Sequence, residues 1–551
     1  MAVNKLFSLF LGFFLLNLFQ GFAQDRYAVY YKFKPQSVFS LDQPQEFLTQ
    51  KALDRRQREG VNIDSLDLPV SQIYIDQVSA KSEYLLYHSK WMNASVLVAS
   101  EVAVQEIALF PFVEKVELVA PGFFPIPDAR VEKELPSKFR PIEDSESRLL
   151  SSQENAYDFQ NALLGIPDMQ EAGFLGAGIT IAVFDSGFPG VNTASSLKHL
   201  FDNNQIIATR DFVRPWNTNV YQDYEHGTNV LSLIAANEPG VLVSGAPEAN
   251  YFLAMTEYVY TEYKIEEFNW TRAAEFADSL GVDIINSSLG YYDFDDVSMN
   301  YGFEDLDGAS TVITQAANIA SQRGILVVNS VGNYGPNEST LIAPADSPNV
   351  LAIGSVKQDQ SVSTFSSRGP TADGRIKPDL DALGSGVVML RPSGNTGLGS
   401  GTSYSAPQIT ALAAGVWQAR PEWTRAKLIQ NLLRSASQYE NPDNILGYGI
   451  PGFLNAYFGE ILSVEENPEH LEWKVYPNPV TGGEIEILFG RELEAELVLF
   501  DLSGREVHNS SLIRNSIKEP YYLNLKNLKP GMYLVTVQDR NTVKRNKLLI
   551  R

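Results

Sequence analysis

One serine stands where a nucleophile could be built. Ser403 follows Gly401 and Thr402 and precedes Pro407. Proline is tolerated in the first turn of a helix, so the sequence predicts a helix that Pro407 begins directly after the serine. Unpaired backbone N–H groups and the positive end of the helix dipole lie at such a start. This setting suits a serine that attacks a carbonyl and then holds an acyl group beside N–H donors.

An acid and a base precede this serine in the chain. Asp185 ends the apolar run 181–184, which is typical of a buried strand. His226 opens an apolar, helix-like segment. A carboxylate, an imidazole and a hydroxyl can act as the orienting group, the general base and the nucleophile of acyl transfer. Their order along the chain, Asp, His, Ser, is one of three that such triads use.

Two further segments fit a site of this kind. Asn333 follows the buried strand predicted over 325–328, and its side-chain amide could donate to a developing oxyanion. Residues 283–289 read as another strand, with the small residues Ser288 and Gly290 near its end. An extended peptide can pair with such an edge by strand addition.

Each residue also has a purely structural interpretation. Asp185 could be a turn acid, Ser403 a helix N-cap and Asn333 a turn residue. The chain holds five histidines. Within the predicted core only His199 and His226 are candidates, and His199 lies in a polar stretch without a motif. The joint occurrence of all four groups favours a catalytic site.

The segment from about Ala156 to Tyr457 resembles the subtilisin-like serine peptidases of the subtilase family. The matching blocks, in the family's order, are Val183–Gly187, His226–Val230, Ser287–Gly290, Ser330–Asn333, Phe365–Pro370 and Gly401–Pro407. Ser186 and Tyr404-Ser405 depart mildly from the family's usual residues.

The resemblance implies a role for each matched residue. By this likeness Asp185 orients the base His226, Ser403 is the nucleophile and Asn333 completes the oxyanion hole. One wall of the substrate cleft is implied to consist of Ser288, Leu289 and Gly290.

The two ends of the chain indicate export. Residues 1–23 are typical of a secretory signal peptide, with a lysine, a short apolar run and Ala23 at the end. No later segment is long and apolar enough for a membrane span. Residues 471–551 read as a small β-sandwich. They resemble the C-terminal sorting domain of the type IX secretion system of Bacteroidota, through Tyr476–Pro479, Asp501–Arg505 and a basic tail. A generic carbohydrate-binding or adhesive sandwich is the alternative.

The predicted fold class is α/β, a subtilisin-like, mostly parallel sheet flanked by helices, with a small α+β prodomain before it and a small β-sandwich after it. The predicted segments are a signal peptide (1–23), the prodomain (24–125), a linker with the processing site (126–155), the peptidase domain (156–459), a second linker (460–470) and the C-terminal sandwich (471–551).

Composition excludes several classes of protein. The chain of 551 residues has no cysteine, which rules out a thiol nucleophile and disulfides, and it lacks a His-Glu-x-x-His zinc motif. The net charge of −23 argues against nucleic-acid binding. The acidic loop 291–308 has three readings that stay open: a preference for basic substrates, a calcium site, or a solvated loop. No organic cofactor is expected, and calcium has no assigned ligands.

We therefore expect a secreted or surface-attached serine endopeptidase whose partners are protein or peptide substrates, its own prodomain as inhibitor and folding aid, and the type IX secretion machinery. Activity should fall as His226 becomes protonated, near pH ~6.5 for an ordinary histidine. The alternatives are an inactive subtilase-fold protein that serves surface binding or adhesion, and a processing protease dedicated to one partner.

Overall fold

The structure is a computed structural model. It describes residues 25–35, 37–122, 142, 155–458, 474–480, 482–489, 493–514, 520–538 and 543–551. The predicted signal peptide, nearly all of the 126–155 linker and the 460–470 linker lie outside the described residues. The chain divides into two compact units, one of Met1–Pro167 with Leu175–Ala456 and one of Asp168–Phe174 with Tyr457–Arg551.

The first unit is built on a seven-stranded, wholly parallel sheet of the described residues, in the order β13-β12-β11-β10-β5-β9-β6. Its strands are β5 (Thr180–Asp185), β6 (Ile206–Asp211), β9 (Asn250–Met255), β10 (Ile284–Ser287), β11 (Leu326–Ser330), β12 (Leu351–Val356) and β13 (Leu380–Leu383). Every residue of β5 is buried. Burial on both faces explains why this strand reads as a continuous apolar run instead of alternating.

Helices cover both faces of this sheet, as the alternation of strands and helices predicts. The helices of this unit are α4 (Asp158–Leu163), α6 (Lys198–Asp202), α7 (His226–Ala235), α8 (Ile265–Leu280), α9 (Val312–Gln322), α10 (Thr402–Ala419) and α11 (Arg425–Arg434). Two short helices, α5 (Ile166–Glu171) and α12 (Phe453–Phe458), are each divided between the two units. The first unit also contains two short antiparallel hairpins, β7 (Asn237–Glu238) with β8 (Leu242–Val243) and β14 (Val387–Leu390) with β15 (Thr396–Gly399).

A four-stranded antiparallel sheet precedes the large sheet, in the order β2-β3-β1-β4. Its elements are β1 (Arg26–Tyr31), α1 (Gln50–Glu59), α2 (Gln72–Ser79), β2 (Tyr84–Ser89), β3 (Ala94–Val98), α3 (Glu101–Ala108) and β4 (Val113–Ala120). Successive residues of β1 face opposite sides, so Val29 and Tyr31 join the core on one side while Ala28 and Tyr30 join the core of the large sheet.

Helix α1 docks on the large sheet's helices through buried charge. Arg55 is 1 % exposed and donates to the carbonyl oxygens of Asp278 (3.2 Å), Val282 (2.5 Å) and Arg323 (3.1 Å). These carbonyls lie at or just after the ends of α8 and α9, so the guanidinium supplies donors where the helical hydrogen bonding stops. The Asp278 carbonyl also accepts from the Gly281 N–H (3.1 Å). Arg56 bridges Asp67 of its own domain and Asp278. Helix α1 is therefore buried on this side.

The second unit contains two antiparallel sheets among its described residues, β16-β17-β20 and β19-β18-β21-β22. Their strands are β16 (Lys474–Tyr476), β17 (Glu484–Leu488), β18 (Glu494–Phe500), β19 (Glu506–Ile513), β20 (Tyr521–Asn524), β21 (Gly531–Gln538) and β22 (Val543–Ile550). Buried residues of both sheets, such as Ile485 and Val535, form one core. These two sheets agree with the predicted small β-sandwich.

Within the described ranges, no helix combines the length and the apolar character that a membrane crossing requires.

One buried carboxyl makes stability depend on pH. Glu267 in α8 is fully buried and accepts hydrogen bonds from the Tyr301 hydroxyl (2.8 and 3.0 Å) and the Ile313 N–H (3.1 Å). Burial raises its pKa from 4.5 to about 7. The raised pKa means that the folded state keeps a proton that the unfolded chain releases. The contribution of this group to the free energy of unfolding is therefore fully present below about pH 4.5 and is lost as the pH rises through 7.

We predict that Glu267→Gln removes this loss. Relative to wild type, the variant should gain stability between pH 5 and pH 8, by up to about 3 kcal/mol, because it has no proton to release. The measurement is the midpoint of urea unfolding, followed by tryptophan fluorescence at each pH. Glu304→Gln, which changes an exposed carboxylate in the same way, is the control. A constant difference between Glu267→Gln and wild type across this range would contradict the prediction.

Candidate active site

The four predicted groups come from four elements that end at one edge of the large sheet. Asp185 is the last residue of β5, and His226 is the first residue of α7. Ser403 lies in the first turn of α10, and Asn333 follows β11. Because carboxyl ends of parallel strands and the starts of the helices after them share one edge, the fold brings these residues together.

Asp185 and His226 form a buried, bidentate contact. His226 Nδ1 lies 2.9 Å from Oδ2 and 3.0 Å from Oδ1 of Asp185, and the two side chains are 7 % and 0 % exposed. An ionised carboxylate only accepts hydrogen bonds, so Nδ1 carries the proton and Nε2 of the neutral ring is left as an acceptor. Ser186 holds the carboxylate through its backbone N–H (2.8 Å) and its hydroxyl (3.0 Å). The imidazole is thereby oriented as a base.

Ser403 is buried and is fixed to the end of β10. Its hydroxyl donates to the Ser288 carbonyl at 3.3 Å, and the Ser288 hydroxyl donates to the Ser403 carbonyl at 2.8 Å. The start of α10 corrects one sequence-based expectation, that Pro407 begins this helix. Helix α10 begins at Thr402, so Pro407 lies inside it and does not begin it. Because proline has no N–H, the Ser403 carbonyl lacks its helical partner, and Ser288 supplies the donor.

Asn333 is held by a residue that sequence analysis passed over. Its Oδ1 accepts from the Thr402 N–H (2.9 Å) and from the Thr402 hydroxyl (3.0 Å). With the oxygen occupied, Nδ2 is the part of the amide that remains to donate. The Gly-Thr-Ser spacing placed Thr402 beside the nucleophile, but no pattern showed that it would reach Asn333.

Tyr404, noted in the sequence as a departure, packs beside the imidazole. Its ring centre lies 5.8 Å from that of His226. Burial raises the pKa of Tyr404 to about 12, against the effect of a hydrogen bond from Asn229. The phenol therefore stays neutral next to the imidazole and contributes an apolar face.

Two cavities open beside Ser403. The larger, of about 140 Å³, is lined by His226, Tyr404, Arg391 and Ile142, among others. Arg391 pairs with Glu225 at its rim (2.7 Å). The smaller cavity, of about 80 Å³, is lined by the predicted wall residues Ser288, Leu289 and Gly290. Asn333 and Ser403 line both cavities.

The acids of loop 291–308 do not line either cavity, and several cap local turns. Asp296 accepts from the Ser298 N–H (2.9 Å) and Asp307 from the Ala309 N–H (2.8 Å). Among the described residues, a close cluster of carboxylates lies elsewhere. It consists of Glu257, Glu262 and Glu266, whose oxygens lie within 4.8 Å of one another. Calcium remains a prediction without assigned ligands.

Three family models match the chain. Residues 176–449 match the Subtilase family, residues 26–128 the Peptidase S8 propeptide domain of Bacteroidota, and residues 474–551 the secretion system C-terminal sorting domain.

The chain carries a subtilase domain.

Curated relatives agree with this assignment. Subtilisin E of Bacillus subtilis is 25 % identical over 382 residues, which cover 68 % of this chain and 83 % of the relative. Subtilisin of Bacillus pumilus is 28 % identical over 292 residues, which cover 52 % of this chain and 92 % of the relative. The protein is a serine-type endopeptidase with a propeptide, and its C-terminal sorting domain marks it for export, as a secreted or surface-attached protein.

A solved structure supports the fold. The crystal structure of the epidermin leader peptide processing serine protease (EpiP) S393A mutant from Staphylococcus aureus covers 79 % of this chain and 99 % of that chain, with a TM-score of 0.53 and 16 % identity. At this identity the likeness shows the fold alone.

The contact between β5 and α7 depends on a glycine after the base. A Cβ atom at Gly227 would lie 2.3 Å from the Gly187 carbonyl oxygen and 2.9 Å from Asp185 Cβ. We predict that Gly227→Ala pushes α7 away from Asp185 and lowers the free energy of unfolding by about 1–3 kcal/mol, the usual cost of overpacking. Urea unfolding measures this loss.

Gly452→Ala is the matched control, because a Cβ atom there has no neighbour within 4 Å. Equal stability of Gly227→Ala and Gly452→Ala would show that the approach of α7 to β5 is less tight than described.

Proposed function

We propose that Ser403 is the nucleophile of this subtilase, with His226 as its general base and Asp185 as the group that orients the base. The observation that carries the proposal is the buried contact of His226 Nδ1 with both oxygens of Asp185, beside a cavity that Ser403 also lines. With the proton on Nδ1, Nε2 is the ring nitrogen that can accept the hydroxyl proton.

The reaction proceeds by acyl transfer. Ser403 Oγ attacks the peptide carbonyl while His226 takes its proton, and His226 then gives this proton to the leaving amine. Water, activated by the same imidazole, hydrolyses the acyl-enzyme and restores the serine. The buried Asp185 stabilises the imidazolium that forms in each half.

Asn333 Nδ2 and the Ser403 backbone N–H donate to the oxyanion of each tetrahedral intermediate. The proposal is supported by Thr402, which occupies Oδ1 of Asn333 and so fixes the side of the amide that can donate. A donor held in place before the reaction needs no reorganisation as the negative charge develops.

We further propose that the prodomain assists folding and blocks the cleft until it is cut off. Arg55 of α1 binds the carboxyl ends of α8 and α9, and Glu59 accepts from the Arg425 N–H at the start of α11 (2.9 Å). The prodomain thus satisfies backbone groups of the peptidase domain. Ile142, from the predicted linker, lies in the cavity with His226 and Ser403, which supports occupation of the cleft before processing.

The proposed roles predict graded losses of casein hydrolysis. Ser403→Ala should abolish activity above background. Asp185→Asn should lower kcat about 10⁴-fold because the imidazole loses its tautomer partner. Asn333→Leu should lower kcat about 10²–10³-fold with little change in KM, because the lost donor acts only on the transition state. Steady-state kinetics give these values on protein whose prodomain is removed by an added protease where a variant does not process itself. A Ser403→Ala variant with wild-type activity would refute the nucleophile.

The prodomain proposal predicts a defect in maturation. Arg55→Met should lower the yield of processed enzyme after refolding, because the ends of α8 and α9 lose their donor while Asp278 stays buried and loses one of its two arginines. Intact mass and N-terminal sequencing follow the yield, with Ser403→Ala as the unprocessed reference. Lys81→Met, which breaks an exposed pair with Glu106 of the same domain, is the control. Equal yields for Arg55→Met and Lys81→Met would contradict this role.

A further inference from the structure

The two cavities beside Ser403 have different linings. His226 lines the cavity of about 140 Å³, whereas the cavity of about 80 Å³ is lined by Ser288–Gly290, Gly332 and Ile342. In the proposed reaction His226 protonates the leaving amine, so the segment after the cleaved bond lies on the imidazole side. The residue that supplies the carbonyl, here called the acyl residue, therefore directs its side chain into the smaller cavity.

Ile342 fills part of this smaller cavity. A Cβ atom at Gly290 would lie 2.2 Å from Ile342 Cδ1, and one at Gly332 would lie 3.0 Å from Ile342 Cγ1. The isoleucine side chain thus packs directly on two walls that have no side chains of their own. It is 5 % exposed.

Backbone hydrogen bonds hold Ile342 in this position. The Ile342 N–H donates to the Val331 carbonyl (3.3 Å), and the Ala345 N–H donates to the Ile342 carbonyl (2.9 Å). The next residue, Ala343, exchanges two backbone hydrogen bonds with Tyr291 (2.9 and 3.1 Å). These bonds fix the backbone of Ile342, and its side chain packs on Gly290 and Gly332.

The remaining space suits a small, uncharged group. A buried cavity of about 150 Å³ in another protein accepts benzene, and the volume here is about 80 Å³. Among the described residues that line it, none is an aspartate, glutamate, lysine or arginine. A lysine or arginine side chain would find no opposite charge in this cavity.

We propose that Ile342 sets the specificity of this subtilase for a small acyl residue, such as glycine, alanine or serine. The inference rests on the proposed peptidase function. A preference for a basic acyl residue, one of the interpretations of loop 291–308, is excluded by this proposal, since the carboxylates of that loop lie outside the cavity.

The test uses matured protein and four peptides that differ only at the acyl residue, which is Ala, Leu, Phe or Lys. Wild type should cleave the Ala peptide with a kcat/KM about 100-fold above that for the Phe and Lys peptides. Ile342→Ala should raise the Phe-to-Ala ratio of kcat/KM about tenfold or more, because it opens the cavity by several carbon atoms. Ile342→Val, a smaller change that spares the fold, should give an intermediate ratio.

Ile319→Ala, a half-buried isoleucine on α9 away from the cleft, controls for a general loss of stability and should leave the ratio unchanged. The ratio is independent of the amount of active enzyme. Equal cleavage of the Ala and Phe peptides by wild type, or an unchanged ratio in both Ile342 variants while they cleave the Ala peptide, would overturn the inference alone. Failure of wild type to cleave casein or any of the four peptides would overturn the peptidase function and this inference with it.

Discussion

The close approach of α7 to the end of β5 is the constraint on which the active site depends. It buries the Asp185 carboxylate against His226, and it is achieved only because Gly227 has no side chain at the point of contact. A buried carboxylate is costly unless hydrogen bonds and an opposite charge compensate it. Ser186 and the imidazole supply these partners, so the group that orients the base is also held by the fold. The parallel sheet positions the remaining parts from the same edge: β10 ends at the wall of the cleft, and β11 leads to Asn333.

The prodomain likewise supplies partners for buried polar groups, here in the helices around the site. Arg55, Arg56 and Glu59 lie on one helix and bind the ends of three helices of the peptidase domain or the acids beside them. A helix end that is buried without a partner is unfavourable, so these contacts favour the native arrangement of α8, α9 and α11. They also mean that removal of the prodomain exposes or leaves unpaired several polar groups. In the mature enzyme these groups must therefore be satisfied by water or by local rearrangement.

Sequence reasoning found the parts of the site whose chemistry lies in local patterns. Asp185 at a strand end, His226 at a helix start and the small residues before Ser403 are visible in short windows of sequence. Contacts between distant segments were not visible: Thr402 on Asn333, Ser288 on the Ser403 carbonyl, and Ile342 between Gly290 and Gly332. The burial of Arg55 and Arg56 in α1 was not visible either, because their partners in the peptidase domain, such as Asp278, lie far away along the chain. Pro407 misled the prediction of the helix start, because the hydroxyl of Ser288 supplies the donor that the Ser403 carbonyl lacks inside the helix.

Labelling by a fluorophosphonate tests the central claim most directly, because only an activated serine reacts with such a probe. Wild type and His226→Ala, both freed of the prodomain by the same added protease, are treated with the probe and digested, and the modified residue is identified by mass spectrometry. We expect a single modification on Ser403 in wild type and a strongly reduced labelling rate in His226→Ala. Modification of another residue, or equal labelling rates of Ser403 in the two proteins, would contradict the proposal that Asp185, His226 and Ser403 act as one catalytic unit.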